Sequence, residues 1–461
     1  MIKHKVNQVE SKARQKTLRP ATWLLVLILL LGAWLRLDVT LKTTVVSPLR
    51  ADALGYFSYA YNLRHFGIYS RDHSFTQGKG DSTPKPDALQ PPGYPFLLLP
   101  FAGEVPDEET ILHITQLQAL LGIFVILFTY ITAKEFLGKT WALLPSLLVA
   151  ISPQLINCEV YILSESLFTF LMMAAIACLV IQINRHQNQL LLLLGGILLG
   201  AAALTRPTLS YIVPFLLLGL LPLLPKSARW KWAITLSLGF ALLTVPWAMR
   251  NWLTLGGSDP ALTINTIVHG HYPGAMYKWN PQSLGYPYRY DPDVAQLSSS
   301  LGAALQGIMA RMATEPLTYF IWYFFGKPFM FFSWNDIASA GEFFTYPTPV
   351  SPYHEAPLFL ASKSFMRTTH YLWILLAIVA TLASAMKAKS FTQEITSRPS
   401  RLLSIFFIYF LLVHIAGFPL ARYSIPLLPV IFILATSILF ELMSQYRQKS
   451  LGCIETPQTS H

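Results

Sequence analysis

Residues 21–37 read ATWLLVLILLLGAWLRL and residues 50–56 read RADALGY. The first run is apolar and long enough to cross a hydrocarbon core, and it follows a tail carrying Lys3, Lys5, Lys12, Arg14, Lys16 and Arg19. A small-x-small cleavage pattern is missing after Leu31, so the expectation is a retained helix with its N-terminus in the cytoplasm. The second run then sets a carboxylate, Asp52, just beyond the helix on the outer side.

The rest of the chain is built to match. Of its 461 residues 53% are hydrophobic and only 12% charged, and the mean hydropathy is +0.45. Soluble domains carry about 25% charged residues, so the composition predicts an all-α polytopic membrane protein. The net charge of +11 does not mark a nucleic-acid binder, because the basic residues cluster in short loops and tails, as the positive-inside rule requires. Cys158, Cys178 and Cys453 are too scattered for a disulfide framework or a metal site.

Taken in order, a tail over 1–20 leads into a membrane domain over 21–442, and a second tail covers 443–461. Outer loop one spans about 38–107. Asp52 is placed to cap a helix over about Ala53–Phe66, with Asp52, Tyr56, Tyr59 and Leu63 on one face and Leu54, Phe57 and Tyr61 on another. Such a helix is expected to lie flat at the membrane interface. Arg71–Gln90 reads as a polar loop, Gln90–Pro95 as a braced turn, and Phe96–Phe101 is too short to span.

Further helices are predicted at about Thr110–Ala133, Trp141–Ser152, Tyr161–Ile183, Leu190–Leu204, Ser210–Leu224 and Trp232–Trp247. Basic connections at Lys134–Lys139, Asn184–Gln189 and Lys226–Lys231 alternate with nearly uncharged ones. Outer loop two covers about 251–315. Leu317–Trp334 is aromatic and long enough to span, but Tyr371–Met386 must exit toward the basic Lys387, Lys389, Arg398 and Arg401. Two readings stay open: Leu317–Trp334 is re-entrant, or Tyr353–Phe365 returns across the membrane. Helices at about Leu402–Ala416 and Tyr423–Leu442 close a count of about ten to twelve.

On this topology Asp52, the Gln90–Pro95 turn, Glu159, Glu165, Arg206, Arg250, Lys327 and Arg422 fall on the outer side. Arg206 and Arg422 sit in short outer connections where cations are rare. They point to a bound anion, and a lipid phosphate or diphosphate suits the arginine fork. Glu165 lies inside an apolar run, which makes it a functional candidate. The plainer readings are a helix cap for Asp52, an arginine partner for Glu165, and headgroup snorkelling for the arginines. His269, His271 and His354 have no metal-ligand spacing.

The ordered features are Asp52 and Tyr56 after the first helix, Pro91-Pro92-Gly93-Tyr94-Pro95, Ser164-Glu165-Ser166-Leu167, Leu204-Thr205-Arg206-Pro207-Thr208, Trp247-Ala248-Met249-Arg250-Asn251, and Arg422-Tyr423-Ser424-Ile425-Pro426. In that order they resemble the GT-C glycosyltransferases of the protein O-mannosyltransferase and aminoarabinose-transferase type. The resemblance implies a GT-C-like bundle of about ten to twelve transmembrane helices, with two outer loops carrying interfacial helices. It implies transfer of a sugar, with inversion, from a polyprenyl-phosphate donor to a glycan, lipid or protein acceptor. The site would face the periplasm from the inner or plasma membrane.

By the same resemblance Asp52 is the general base, and Tyr56, Gln90, Tyr94, Glu165, Arg206, Arg250 and Arg422 bind substrate. Two positions depart from the family. Ala53 stands where the O-mannosyltransferases have a second acid, and Gln90 stands where the aminoarabinose enzymes have a lysine, so no phosphate contact carries over at 90. A divalent metal is compatible with a phosphate leaving group, but no ligand cluster requires one. The alternative is a transporter or flippase of a lipid-linked saccharide, which predicts polar groups at the midplane and internal repeats. A non-catalytic envelope protein leaves the ordered motifs unexplained. The loop after Asn251 is expected to set acceptor choice.

Overall fold

The computed structural model describes residues 2–80, 83–185, 188–257, 260–275, 286–335, 340–386 and 397–452. Lys387, Lys389, Cys453 and the middle of the second loop lie outside the described residues. The first half of the chain forms α1 (Ile2–Lys42), α2 (Ala51–Phe66), α3 (Gly93–Leu98), α4 (Glu108–Trp141), α5 (Leu143–Ile151), α6 (Pro153–Asn157), α7 (Glu165–Arg185), α8 (Gln189–Thr205), α9 (Ile212–Leu220) and α10 (Lys226–Leu255). The second half forms α11 (Ala261–Gly270), α12 (Val294–Leu297), α13 (Leu301–Thr314), α14 (Pro316–Ile321), α15 (Lys327–Phe331), α16 (Pro352–Glu355), α17 (Pro357–Met386), α18 (Arg398–Ala416) and α19 (Leu428–Gly452).

Among the described residues seven helical stretches are long and apolar enough to cross a membrane: Pro20–Lys42, Glu108–Trp141, Glu165–Asn184, Lys226–Leu255, Pro357–Met386, Arg398–Ala416 and Ala421–Tyr446. An eighth is the pair Leu143–Ile151 and Pro153–Val160, bent by 48°. Pro153 starts the second half and Ser152 caps it, its side chain accepting from Leu155 N, so the break is written into the sequence. Gln189–Thr205 and Pro207–Leu223 add two shorter apolar stretches. Large apolar side chains face outward along α1 and α10, among them Trp23, Leu27, Leu30, Ile234 and Leu238. A bilayer is the solvent that accepts such a surface. The chain is an all-α, multi-span membrane protein.

Because lipid is as apolar as the helices, association depends on close packing rather than on water exclusion. Gly196 of α8 illustrates this: a Cβ there would lie 2.5 Å from Leu236 O and 3.0 Å from Gly239 Cα of α10. Polar contacts do the rest. Arg36 of α1 is buried and donates from Nε to Glu159 at 2.9 Å, with further bonds to the carbonyls of Gly32, Ala150 and Val149. This pair locks α1 against the bent span, so Glu159 belongs to the scaffold.

One open reading changes. Tyr353–Phe365 is no separate return span, because its second half continues without a break through Met386 as α17. Within Leu317–Trp334, α14 and α15 are joined by a π-helical turn, Trp322–Gly326. The helix α2 is packed into the protein. Ala53, Phe57, Ser58, Tyr59 and Ala60 are all buried, since the bundle covers one side and the Arg71–Gln90 loop folds over the other.

Candidate active site

The chain enters α2 through a fixed corner. Val46 N bonds to Pro347 O at 2.9 Å, an isolated bridge pairs Thr44 with Val350, and Tyr346 donates to Arg50 O at 3.2 Å. Arg50 is the residue that caps α2, in extended conformation and without a side-chain cap bond. Asp52 therefore does not cap, contrary to the sequence expectation. It sits in the first turn, after Ala51 at φ 47°, a left-handed conformation that costs a side-chain-bearing residue about 1–3 kcal/mol.

Freed from capping, the Asp52 carboxylate faces Arg422, whose Nη2 donates to Oδ2 at 2.9 Å. Burial pushes the Asp52 carboxyl up, but Arg422, then Arg206 and Arg71, outweigh it and hold the group below its ordinary value. Arg422 comes from the 3-10 turn Ala421–Leu427 after α18. The end of α18 just before that turn is held by Lys327, fully buried, whose Nζ donates to Ile415 O at 2.6 Å and Gly417 O at 2.9 Å. These are carbonyls at the end of α18 that its own ladder leaves open.

A second ion pair lies beside the first. Glu165 opens α7 and accepts from Arg206 at 2.6 Å, with side-chain exposures of 4% and 14%. The pair is buried enough for its loss to matter. Arg206 reaches Ser164 Oγ at 3.4 Å and lies 4.8 Å from the centre of the Tyr423 ring, the residue next to Arg422. Tyr56, one turn on from Asp52, donates to the same Ser164 at 3.3 Å. Its ring meets Tyr94 edge-on at 5.1 Å, and Tyr94 donates to Gln118 at 2.8 Å. The structure thus gathers Asp52, Tyr56, Tyr94, Glu165, Arg206 and Arg422 from five separate segments.

Gly93 explains the turn before Tyr94. A Cβ at Gly93 would lie 2.8 Å from Leu204 O and 2.9 Å from Thr205 Cα, so only glycine lets the turn rest on the end of α8 that carries Arg206.

Arg250 is placed differently from the expectation. It donates to Asp87 O at 2.8 Å, Tyr69 O at 3.2 Å and Asn251 Oδ1 at 3.0 Å, bracing loop one instead of joining the Asp52 cluster. It also stands at an apolar cavity of about 930 Å³ lined by Tyr69, Phe96, Leu171, Leu204, Leu243 and Trp247, among others. Gln90 is buried, and its Oε1 has no hydrogen-bond partner.

Sequence reading assigns no role to Asp87 or Arg71, and none to Ser164 and Tyr423 although both lie within its motifs. Asp87 accepts from Tyr59 OH and from Arg71 N at 2.7 Å, and so organises the loop over α2. A polar loop rich in Gly and Pro carries no periodic signal that singles out such a residue. The pairing of Ser164 and Tyr423 with Arg206 joins positions far apart in the chain.

A divalent cation finds no ready ligand set. Among the described residues no three His, Cys, Asp or Glu side chains converge, and Asp52 and Glu165 each face an arginine.

Residues 95–267 match the family described as dolichyl-phosphate-mannose-protein mannosyltransferase. No protein of curated function matches the chain. In fold it is similar to the oligosaccharyltransferase AglB of Archaeoglobus fulgidus, solved with an inhibitory peptide and a dolichol-phosphate: 16% identity, TM-score 0.53, covering 95% of this chain and 52% of that one. An A. fulgidus oligosaccharyltransferase tethered to an acceptor peptide containing the NVT sequon gives 17% identity, TM-score 0.53, and 95% and 52% coverage. ArnT of Cupriavidus metallidurans, bound to undecaprenyl phosphate, is more distant in fold, with 13% identity, TM-score 0.42, and coverage of 93% and 78%. The chain spans about half the length of the oligosaccharyltransferases it matches. In fold the chain is thus similar to these oligosaccharyltransferase structures, and its sequence over 95–267 is similar to the O-mannosyltransferase family.

Proposed function

We propose that the protein is a glycosyltransferase that moves a sugar from a polyprenyl-phosphate donor to an acceptor hydroxyl, with inversion, at the outer face of the membrane. The observation that carries this reading is the Asp52–Arg422 pair at 2.9 Å, set beside a second carboxylate–arginine pair in a GT-C fold. The ligands of the similar structures, a dolichol-phosphate and an acceptor peptide, lend support.

The chemistry requires a base on one side of the sugar and positive charge on the other. Asp52 is ionised at neutral pH, because its neighbouring arginines hold its carboxyl low. In the step, Asp52 takes the acceptor O–H proton as the acceptor oxygen bonds to the anomeric carbon. The carbon–oxygen bond to phosphate breaks, and the electron pair leaves on the lipid phosphate. Glu165 keeps Arg206 in place, and Tyr56 and Tyr94 wall the site. The apolar cavity beside Arg250 suits the donor's hydrocarbon chain, and the loop after Asn251 selects the acceptor.

The test is sugar release from a panel of labelled polyprenyl-phosphate sugars by the purified protein in lipid, with Asp52→Asn alongside. A general base contributes about a hundredfold to ten-thousandfold, so the variant should lose transfer by that factor while still binding donor. Transfer at the normal rate by Asp52→Asn would refute the base assignment. Donor movement across a bilayer without sugar release would favour a transporter.

A further inference from the structure

Outer loop two carries its own ion cluster, centred on Arg311 of α13. Arg311 Nη1 donates to Asp291 Oδ2 at 2.6 Å and Nη2 to Asp293 Oδ2 at 3.1 Å. Tyr272 OH donates to the same Asp291 oxygen. Nη1 also meets His271 Nε2 at 3.2 Å. The other ring nitrogen, Nδ1, lies against the Val268 carbonyl. A carbonyl only accepts, so Nδ1 carries the proton and Nε2 accepts from the arginine. His271 is fully buried, and one planar guanidinium thus ties two acids and a histidine together.

The residue next to His271 touches the chain that carries Arg422. Gly270 ends α11, and a Cβ there would fall on the Gly417 carbonyl, 2.7 Å from Gly417 C and 3.1 Å from Phe418 Cα. The two backbones are therefore in direct contact. Gly270 O accepts from Trp322 Nε1 at 3.1 Å, and Gly417 O is the carbonyl that Lys327 holds at 2.9 Å. Just beyond, Phe418 and Leu420 pack with Ala275, Trp322 and Met330, and Tyr272 and Tyr423 join the same apolar cluster. Loop two thus covers the chain from Gly417 to Tyr423, with Arg422 inside that stretch.

We propose that Arg311 is a positioning residue for Arg422: by tying Asp291, Asp293 and His271 together it keeps Gly270 seated on Gly417, and the seated loop keeps the Arg422 turn on Asp52. Its effect on transfer rests on the proposed transferase reading, whereas the seating rests on the contacts alone. The assignment joins the loop proposed to select the acceptor to the arginine that sets the base. Asp52 is faced by Arg422, Arg206 and Arg71 and by the phenols of Tyr56 and Tyr346. Of these only Arg422 comes from the chain that loop two covers. Burial pushes the Asp52 carboxyl up and Arg422 leads the groups that draw it down, so a loosened turn lets it rise.

The test takes two readouts from the full chain in lipid. Hydrogen exchange of the backbone amides over 418–427 requires no transfer. Arg311→Gln should speed it about tenfold, the factor that a lost charged hydrogen bond carries, while the amides of α5 keep their rate. The second readout is transfer against pH. Losing an adjacent cation raises a carboxyl by about one to three pH units, so Arg311→Gln, which displaces Arg422 without removing it, should lift the acid limb by about one. Arg311→Lys keeps the charge and should bring both readouts most of the way back. Gly270→Ala leaves the Arg311 cluster intact but drives a methyl onto the Gly417 carbonyl. It should reproduce both changes, and it decides the matter if Arg311→Gln does not fold. Either an unchanged exchange rate or a coincident acid limb would overturn the assignment. No transfer by wild type would overturn the transferase reading instead, and the exchange readout would still decide whether Arg311 seats the turn.

Discussion

Arg422 Nη2 lies 2.9 Å from Asp52 Oδ2, although the two residues are 370 positions apart. The contact joins the turn after α18 to the first turn of α2, and it sets the charge state of Asp52. Burial alone would raise the Asp52 carboxyl above its ordinary value, but the neighbouring arginines, Arg422 first, bring it below. The depressed group is ionised throughout the neutral range. Its contribution to stability is present above its ordinary value and lost as pH falls through the lower folded one.

The expected consequence is kinetic. Wild-type transfer should be independent of Asp52 ionisation between about pH 5 and 8, well above the ordinary aspartate range. In Arg422→Gln, burial is opposed only by Arg206 and Arg71, so the acid limb should move upward. Single-turnover transfer against pH in both proteins would check this, and coincident acid limbs would show that Arg422 does not govern Asp52.

The two buried carboxylate pairs should separate by function. Removing one partner of a buried pair costs about 3–5 kcal/mol, so Glu159→Gln and Glu165→Gln should both lower thermal stability in detergent. Glu159 holds Arg36 in the scaffold, and transfer per folded molecule should survive its loss. Glu165 holds Arg206, and its variant should also show a raised donor KM. Equal KM values for the two variants would remove Arg206 from the site.

Gly93→Ala should separate the Pro91–Pro95 turn from α8. The added methyl would approach Leu204 O and Thr205 Cα within 3 Å, and backbone cannot yield as a side chain does. A stability loss of about 1–3 kcal/mol is expected from the overpacking. Arg206 moves with the end of α8, so transfer should fall more steeply than the folded fraction. Wild-type activity in this variant would mean that the turn tolerates displacement.

Lys327→Met should release the end of α18. Hydrogen bonds contribute about 0.5–1.5 kcal/mol each, and Lys327 makes two to otherwise open carbonyls. The melting temperature should drop, and transfer should drop with it through the loosened Arg422 turn. An unchanged melting temperature would show that the carbonyls find other donors.

Much of the fold is legible locally because crossing a bilayer is a local demand: about twenty consecutive apolar residues meet it wherever they occur. The spans at α4, α7, α10, α18 and Ala421–Tyr446 fall close to their predicted places for that reason. What hydropathy does not register is a polar residue whose partner comes from another helix. Arg36 falls within an apolar run, yet it is buried against Glu159. The extent of α17 was missed likewise, since Ser362, Lys363 and Arg367 dilute its first half, while Lys363 and Arg367 pair with Glu342.

Hydropathy alone marks this chain as a polytopic helical membrane protein, and its ordered motifs put forward Asp52, Tyr56, Gln90, Tyr94, Glu165, Arg206, Arg250 and Arg422 as candidates for one site. Their relations to one another come from the packed fold. It freed Asp52 from capping and turned it to Arg422, gave Glu165 to Arg206, and made Arg250 a brace for Asp87. The physical reason is range: helix formation and membrane insertion are settled within a few turns of chain, whereas a charge finds its partner only after distant segments have packed.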